Sequence, residues 1–357
     1  MEKTPEAKQA TIYPKTITEE EYKEGWKKAN QNTSSNPLGP DYHVYKCTTH
    51  NDTLTLFETI MLNIPYQTGY SPKRWRNALD VVLRKERGNL DLKKLRTIGL
   101  LEADFNFMCK YLGKWAMSKA DEFKQLADEQ WGSRKGYQCL GLALSKRLAI
   151  DIAAFEKSAF VLCSQDAMQC FDRISHAALA IGLKRQNLPT SAIIALITTI
   201  ESMVHKVRTV FGDSSRSYGG SVQNPCQGIP QGCGIGPPGW AVISSGNLDL
   251  LRSAGYGATF ETPMSHLTLN FVGYAYVDDT DQVENIKFTG ESTTDVIMRM
   301  QKAVDMWEES IKTTGAQINA TGMLWILNGK TLSGIMQHLP TSRPSSLLRT
   351  PMVLDNP

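Results

Sequence analysis

The chain has 357 residues, of which 41% are hydrophobic and 21% are charged, and its formal net charge is +3. This composition excludes a mainly disordered chain and allows one large or two ordinary domains. The small net charge neither requires nor excludes a polyanionic partner, so the distribution of charge is more informative than its sum.

Neither the N-terminus nor the cysteines indicate an extracellular or membrane protein. The first fifteen residues lack the apolar stretch of a signal peptide, and no run approaches the roughly 18 apolar residues of a membrane span. The seven cysteines are odd in number and include no C-x-x-C pair, so they indicate neither a disulfide framework nor a zinc site. We therefore expect an intracellular protein with no membrane partner.

The first 157 residues are predicted to be mostly helical. The helix nearest the N-terminus should begin after Thr16 or Thr18, because either residue can cap a first turn that contains Glu19, Glu20 and Glu21. Apolar residues at spacings of three and four predict further helices at 53–62, 72–84, 102–122 and 137–156.

From residue 158 onward, strands and helices are predicted to alternate. SAFVLCSQD (158–166) and HKVRTVFGD (205–213) are rich in residues that favour strands, and GMLWILNG (322–329) predicts a last strand. Residues 269–277 and 283–288 predict a hairpin. Further helices are predicted at 175–186, 191–203 and 292–313, with another that begins at Gln231 and Gly232 after a Pro turn. Together these elements predict an α+β fold in which three or four antiparallel strands pack on helices.

Acidic residues fall at two predicted strand ends. Asp278 and Asp279 lie side by side in the hairpin, where a plain turn would explain them, but carboxylates held against an apolar sheet would also suit hard cations. Asp166 ends the strand 158–166 and adds a third carboxylate if the two strands are neighbours. Three carboxylates on two strands can hold two divalent ions about 3.5–4 Å apart, an arrangement that serves phosphoryl transfer.

The order and spacing of these residues resemble those of reverse transcriptases. D-x-x-x-x-F at Asp166 and Phe171 is followed by GIPQG (228–232) and by YVDD (276–279), and DAMQCFDRI resembles the form found in retrotransposons without long terminal repeats. The segment LRKERGNLDLKKLRTIGLLEADFN is similar to the fingers of these enzymes, and the loop EQWGSRKG is similar to one that precedes their palm. The similarity covers residues 75–325.

The resemblance implies the fingers and palm of a right-hand polymerase fold. Residues 1–70 would form an N-terminal helical extension, 71–157 the fingers and 158–328 the palm, with 186–226 contributing to the fingers. Residues 329–357 would be a linker or the start of a missing thumb, because no complete thumb, endonuclease or ribonuclease H is recognised in the sequence.

The resemblance also implies which residues act. Asp166, Asp278 and Asp279 would hold two Mg²⁺ ions, with Mn²⁺ as the alternative ion. The residues implied to bind the incoming nucleotide are Lys85, Arg96, Phe171, Gln231, Gly232 and Tyr276. Lys85 and Arg96 belong to the most basic stretch of the chain, where nine Lys and Arg residues stand against three acidic ones, although such residues are also common on solvated surfaces. Phe171 would lie beneath the sugar and exclude a 2′-hydroxyl group, although an aromatic side chain after a strand is also an ordinary core residue.

One position departs from the pattern of these enzymes. They carry a Lys that can protonate the leaving pyrophosphate, but here Gly322 occupies that place and Lys330 comes eight residues later. A missing general acid costs on the order of 10² to 10⁴ in rate. We therefore expect either slow chemistry or a degenerate copy.

A block near the N-terminus, TSSNPLGPDYHVYK (33–46), resembles one that precedes the polymerase in some eukaryotic elements. We expect it to form a structured loop in which His43 and Lys46 are candidate nucleic-acid contacts.

Together these observations predict an RNA-directed DNA polymerase that binds an RNA template, a DNA primer and dNTPs, in the nucleus or cytoplasm of a eukaryotic host. Two alternatives stay open. One is a degenerate palm-fold module that binds RNA without catalysis. The other is an RNA-dependent RNA polymerase, which is disfavoured because a small or polar residue would be expected in place of Phe171. The sequence indicates no particular protein partner.

Overall fold

The structure is a computed structural model, and it describes residues 14–331 apart from 87, 89–90, 92–94, 222, 224, 263, 319–323 and 328–329. Its α-helices are α1 (Glu19–Lys28), α2 (Tyr42–Thr48), α3 (Asp52–Thr68), α4 (Ala103–Glu122), α5 (Cys139–Phe155), α6 (Cys170–Arg173), α7 (His176–Arg185), α8 (Thr190–Glu201), α9 (Gly236–Ser253) and α10 (Thr293–Thr313). Its strands are β1 (Asn77–Arg84), β2 (Leu95–Leu100), β3 (Phe160–Met168), β4 (Val204–Thr209), β5 (Gly212–Asp213), β6 (Tyr218–Gly219), β7 (Ala258–Glu261), β8 (Thr268–Phe271), β9 (Gly273–Tyr276), β10 (Asp279–Asn285), β11 (Gln317–Ile318), β12 (Leu324–Leu327) and β13 (Lys330–Thr331). None of the helices in these described ranges is long and apolar enough to cross a lipid bilayer.

The chain divides into two compact units. Unit 1 comprises the described residues of Met1–Gln125 and Phe171–Gly239, and unit 2 comprises those of Leu126–Cys170 and Trp240–Pro357. The first helix of unit 1, α1, begins as predicted, because Thr18 caps it in a capping box with Glu21.

Unit 1 contains a mixed five-stranded sheet. The strands β2, β1, β4 and β5 lie in that order, and β6 also pairs with β4. The pair β1–β2 is antiparallel, whereas β1 and β4 run parallel. Among the helices of this unit, Trp26 of α1 is fully buried and stacks on Tyr45 and Phe107, with ring centroids 4.7 and 4.6 Å apart. This aromatic cluster joins α1, α2 and α4.

The helix predicted at 72–84 is wrong. The chain there forms a short 3₁₀ helix, Lys73–Arg76, followed by β1. As a strand, this segment forms backbone hydrogen bonds with β2 on one side and β4 on the other. The consecutive β-branched residues Val81 and Val82 also favour a strand. The first 157 residues are therefore less helical than the sequence predicts.

Unit 2 is built on a six-stranded antiparallel sheet in the order β13-β12-β3-β10-β9, with β11 also paired to β3. A separate two-stranded ribbon is formed by β7 and β8. Alternate residues of β3 face opposite sides of this sheet. Val161 and Cys163 pack among residues of α10, whereas Phe160 and Leu162 pack among residues of α5. The sheet therefore has a helix on each face.

The α+β class is confirmed, but the sheet of unit 2 is larger than the three or four strands predicted. The run 269–277 does not form one hairpin strand, because it divides at Val272 into β8, which pairs with β7, and β9, which pairs with β10. The second hairpin strand begins at Asp279, earlier than residue 283. Helix α9 begins at Gly236, so Gln231 and Gly232 precede the helix that they were predicted to start.

Candidate active site

The two acidic stretches meet in the sheet of unit 2. In the β3–β10 pair, Asp279 is the Cα register partner of Asp166, and Asp281 is that of Ser164. In the β9–β10 pair, Tyr276 is the register partner of Asp279. Register partners in an antiparallel pair share a face, so these side chains lie on the face of the sheet that packs on α5. Asp278 lies in the turn immediately before Asp279.

The electrostatics of Asp279 reflect this clustering. Burial raises the pKa of Asp279, and the negative charges of Asp278, Asp166 and Asp281 raise it further. Lys146 of α5 opposes this rise in pKa, and its Nζ lies 2.6 Å from Oδ2 of Asp281. At Asp279 the effects that raise the pKa therefore outweigh the lowering effect of Lys146.

The donor set suits a hard divalent cation, although the side chains do not form a closed ligand set. Within the part of the chain that the structure describes, no group of three or more His, Cys, Asp or Glu side chains is arranged to hold a metal ion. The backbone register nevertheless brings Asp166 and Asp279 together, and Asp278 adjoins them. Carboxylate oxygens are the ligands that Mg²⁺ prefers, and the mutual repulsion seen at Asp279 is what such an ion would relieve.

The turn that carries Asp278 has an unusual backbone. Val277 has φ +57°, in the left-handed region that a β-branched residue rarely adopts. Such strain persists only where the surroundings fix it. Gln130, which is fully buried, accepts a hydrogen bond from the Val277 N–H at 3.2 Å and donates one to the Val277 carbonyl oxygen at 3.2 Å. Trp240 Nε1 donates to the same carbonyl oxygen at 2.6 Å.

The segment around Gln130 also lies along β9. The Ala275 N–H donates to the carbonyl oxygen of Glu129 at 2.9 Å, and the Trp131 N–H donates to the carbonyl oxygen of Ala275 at 2.8 Å. Gly132 lies so close to the backbone of Val277 that a Cβ atom there would collide with it. The loop EQWGSRKG therefore supports the hairpin. The sequence drew attention to this loop through its resemblance alone, and it assigned no role to Gln130, Gly132 or Trp240.

In unit 1, a separate set of predicted residues surrounds Asp172. Gln231 Nε2 donates a hydrogen bond to Asp172 Oδ2 at 2.7 Å. Burial raises the pKa of Asp172, whereas the bond from Gln231 and the positive charge of Lys85 lower it. Lys85 is therefore close enough to act electrostatically on this carboxylate. The charge of Arg173, the next residue, also lowers the pKa of Asp172.

The turn that contains Gln231 and Gly232 is fixed to its surroundings by its backbone. The Gly99 N–H of β2 donates to the carbonyl oxygen of Gln231 at 2.7 Å, and the Ile229 N–H donates to the carbonyl oxygen of Phe171 at 2.7 Å. Gly232 has φ +113°, and a Cβ atom there would lie 2.6 Å from the carbonyl oxygen of Gly99. Glycine is required at position 232 by both its backbone conformation and this close approach.

The remaining predicted residues lie on or near the strands. Arg96 is exposed on β2, opposite Leu83 of β1, and Lys85 directly follows β1, so both lie at the same end of the β1–β2 hairpin. The half-buried Phe171 ring lies next to the start of α9, where a Cβ atom on Gly236 would be 3.6 Å from Phe171 Cδ1. Gly322 is outside the described residues. The backbone of Lys330 begins β13, opposite Leu327.

One protein family matches more than half of this chain. The family described as "Reverse transcriptase (RNA-dependent DNA polymerase)" matches residues 83–323. The RNA-directed DNA polymerase from the mobile element jockey of Drosophila melanogaster is 24% identical over 273 residues, which are 74% of this chain and 27% of that protein. The chain thus spans about a quarter of the length of this relative. A structure of telomerase from Candida albicans, in complex with the TWJ fragment of telomeric RNA, matches with a TM-score of 0.49 and 12% identity over 72% of this chain and 43% of that one.

Proposed function

This chain belongs to the reverse transcriptase (RNA-dependent DNA polymerase) family of nucleotidyltransferases, and we propose that it is itself the RNA-directed DNA polymerase domain of a retroelement. In this reaction the 3′-hydroxyl group of a primer attacks the α-phosphate of a dNTP, and pyrophosphate leaves. The observation that supports this proposal most strongly is the register partnership of Asp166 and Asp279 beside Asp278.

Enzymes of this family generally use divalent metal ions. We assign Asp166, Asp278 and Asp279 as the residues that would hold two Mg²⁺ ions, with Mn²⁺ as the alternative ion. When bound, such ions lower the pKa of the attacking hydroxyl group and stabilise charge on the leaving group. Gln130 and Trp240 fix the backbone of Val277, so they also restrict where the carboxylate of the next residue, Asp278, can lie.

Residues 71–157 are assigned to the fingers, with a contribution from 186–226, and residues 158–328 to the palm. Lys85 and Arg96 would contact the triphosphate of the nucleotide, because phosphoryl transfer requires cations near these oxygens. Gln231 and Gly232 would approach the templating base pair and the nucleotide, and the carbonyl oxygen of Gly99 leaves no room for a Cβ atom at Gly232. The ring of Phe171 would exclude a 2′-hydroxyl group.

The palm residue Tyr276, which is the register partner of Asp279, is also assigned to the nucleotide. Gly322 stands where related enzymes have a Lys, so slow chemistry is expected of this chain. A relative in a eukaryotic mobile element supports an intracellular place of action, in the nucleus or cytoplasm.

Primer extension tests this function. The purified chain is incubated with Mg²⁺, poly(rA) annealed to oligo(dT), and either dTTP or UTP, and binding to the same template is measured in parallel. We expect extension that requires Mg²⁺ and dTTP. Template binding without extension would contradict the proposal and favour an RNA-binding module, whereas equal use of UTP would favour an RNA polymerase.

A further inference from the structure

The turn that contains Gln231 and Gly232 is held on a second side by one buried side chain, Asn106 of α4. Its Nδ2 donates to the carbonyl oxygen of Gly232 at 3.1 Å, and its Oδ1 accepts from the Gly234 N–H at 2.8 Å. Asn106 is only 8% exposed. One amide group thus bridges two peptide groups of the turn, and the Gly99 N–H holds the turn through the carbonyl oxygen of Gln231.

The second hydrogen of the same amide reaches the N-terminal block. Asn106 Nδ2 also donates to the hydroxyl oxygen of Tyr42 at 3.1 Å, so both amide hydrogens and the amide oxygen are used. Tyr42 is 2% exposed, and Lys110 Nζ lies 5.2 Å from the centroid of its ring. Burial raises the pKa of Tyr42 to about 12, so its hydroxyl group stays neutral at physiological pH.

The N-terminal block that presents Tyr42 is itself docked on unit 1. The Asn36 N–H donates to the carbonyl oxygen of Leu101 at 3.0 Å, and Asn36 Nδ2 donates to the carbonyl oxygen of Asn77 at 2.8 Å. These contacts lie just before α4 and at the start of β1. The block TSSNPLGPDYHVYK therefore forms an ordered support for the elements that contact the turn. The sequence predicted a structured loop here, but α2 begins within the block, at Tyr42.

From these contacts we infer that Asn106 and Tyr42 are positioning residues for nucleotide binding, and that the N-terminal block belongs to the nucleotide site through them. Asn106 holds the turn in the shape that Gln231 and Gly232 need, and Tyr42 fixes the amide of Asn106. This inference rests on the proposed function, because it assigns a role to residues that act through Gln231 and Gly232.

The consequence is a specific kinetic signature. Loss of Asn106 removes hydrogen bonds from the carbonyl oxygen of Gly232 and the N–H of Gly234, so the turn gains conformational freedom and nucleotide binding weakens. The Asn106→Ala variant should raise KM for dTTP about tenfold, which corresponds to about 1.4 kcal/mol, because two hydrogen bonds to the turn are lost. The affinity for template and primer should change by less than about twofold.

Matched controls exist within unit 1. Asn63 makes the same kind of two-sided contact, with its Oδ1 accepting from the Ile17 N–H at 2.8 Å and its Nδ2 donating to the Ile17 carbonyl oxygen at 2.8 Å. Asn63→Ala should reduce thermal stability without raising KM for dTTP. The milder Tyr42→Phe variant should raise KM for dTTP about threefold. Its control is Tyr66→Phe, which also removes a buried hydroxyl group, here one that donates to the carbonyl oxygen of Pro14.

Hydrogen–deuterium exchange separates this inference from the proposed function. In Asn106→Ala and Tyr42→Phe, the peptide 228–236 should exchange faster than in the wild-type chain, and in Asn63→Ala it should not. If the wild-type chain does not extend primers, the proposed function fails, and the exchange result still decides whether Asn106 holds the turn. Unchanged exchange in Asn106→Ala, or faster exchange with an unchanged KM for dTTP in an active chain, would overturn the inference.

Discussion

Gln130 holds Val277 by both of its backbone polar groups, accepting from its N–H and donating to its carbonyl oxygen at 3.2 Å each. The two residues are 147 positions apart in the sequence. Because Val277 is in a left-handed conformation that a β-branched side chain disfavours, the turn depends on such contacts. The position of Asp278 follows from the conformation of this turn.

Replacement of Gln130 by Ala should therefore reduce activity more than stability. Loss of both bonds frees the turn to relax, and a shift of about 1 Å in a reacting group costs on the order of 10² in rate. Single-turnover extension should be about 10²-fold slower in Gln130→Ala, while the midpoint of thermal unfolding falls by only a few degrees.

Asn285 provides the control for this prediction. Its side chain accepts from the Thr259 N–H at 2.9 Å and donates to the Thr259 carbonyl oxygen at 2.7 Å, a similar contact within unit 2. Asn285→Ala should lower stability but leave the extension rate within about threefold of wild type. Equal rate losses in the two variants would show that Gln130 acts only through stability.

Alanine substitutions at two glycines with similar φ angles distinguish the effect of backbone strain from the effect of a steric clash. Gly232 has φ +113° and Gly212 has φ +107°, but a Cβ atom would lie 2.6 Å from the Gly99 carbonyl oxygen in the first case and would meet nothing within 4 Å in the second. An alanine at either position costs about 1–2 kcal/mol of backbone strain. Gly232→Ala should in addition weaken dTTP binding by at least about tenfold, because the turn must move away from β2.

Steady-state KM for dTTP and thermal unfolding of both variants check this. If Gly212→Ala weakens dTTP binding as much as Gly232→Ala, the close approach to Gly99 does not matter for the nucleotide.

Phe171→Ala should relax the choice of sugar. If the ring excludes a 2′-hydroxyl group, its removal should increase incorporation of UTP relative to dTTP by at least about 10²-fold, because steric rejection is lost while the other nucleotide contacts remain. Competition of the two nucleotides in primer extension measures this ratio. An unchanged ratio would mean that Phe171 is an ordinary packing residue beside α9.

The carboxylate cluster should make the fold sensitive to divalent cations. The pKa of Asp279 is raised in the folded chain, so the ionised form is disfavoured there, and its charge lowers stability at pH values above that pKa. Without divalent ions at pH 7, Asp279→Asn should therefore unfold at a higher temperature than the wild-type chain.

Added Mg²⁺ should reverse this order. Binding to the folded state raises the unfolding temperature of the wild-type chain by mass action, and the variant should gain much less. Thermal unfolding with Mg²⁺ and with EDTA measures both effects without any need for activity. If wild type and variant respond equally to Mg²⁺, Asp279 is not a ligand.

The parts of the fold that local pattern determines were predictable. Helices α4, α5 and α10 follow from apolar residues at spacings of three and four. The start of α1 follows from Thr18 as its cap and from the glutamates of its first turn. The sequence placed Asp166 near Asp278 and Asp279 if the two strands were neighbours, and the register partner of Asp166 is Asp279. Strand β1 was predicted as a helix because the spacing of its apolar residues also fits a helix. Its strand conformation depends on pairing with β2 and β4, which the local sequence does not indicate.

The supports of the candidate site could not be predicted from local sequence. Asn106 and Gly232 are 126 residues apart, and nothing near either residue indicates the other. The same holds for Gln130 and Val277. A hydrogen bond between a buried side chain and a distant peptide group depends on the finished fold, whereas apolar periodicity depends only on neighbours.

The central claim is that carboxylates from two strands act together on the primer and nucleotide. Single-turnover extension of oligo(dT) on poly(rA) with Mg²⁺ tests this claim most directly. The rate is compared between the wild-type chain, Asp166→Asn and Asp278→Asn. Asp151→Asn, at an exposed position of α5, is the control. We predict that Asp166→Asn and Asp278→Asn each lose at least about 10³-fold in rate while still binding the template, and that Asp151→Asn matches wild type. Extension at the wild-type rate by either Asp166→Asn or Asp278→Asn would contradict the account.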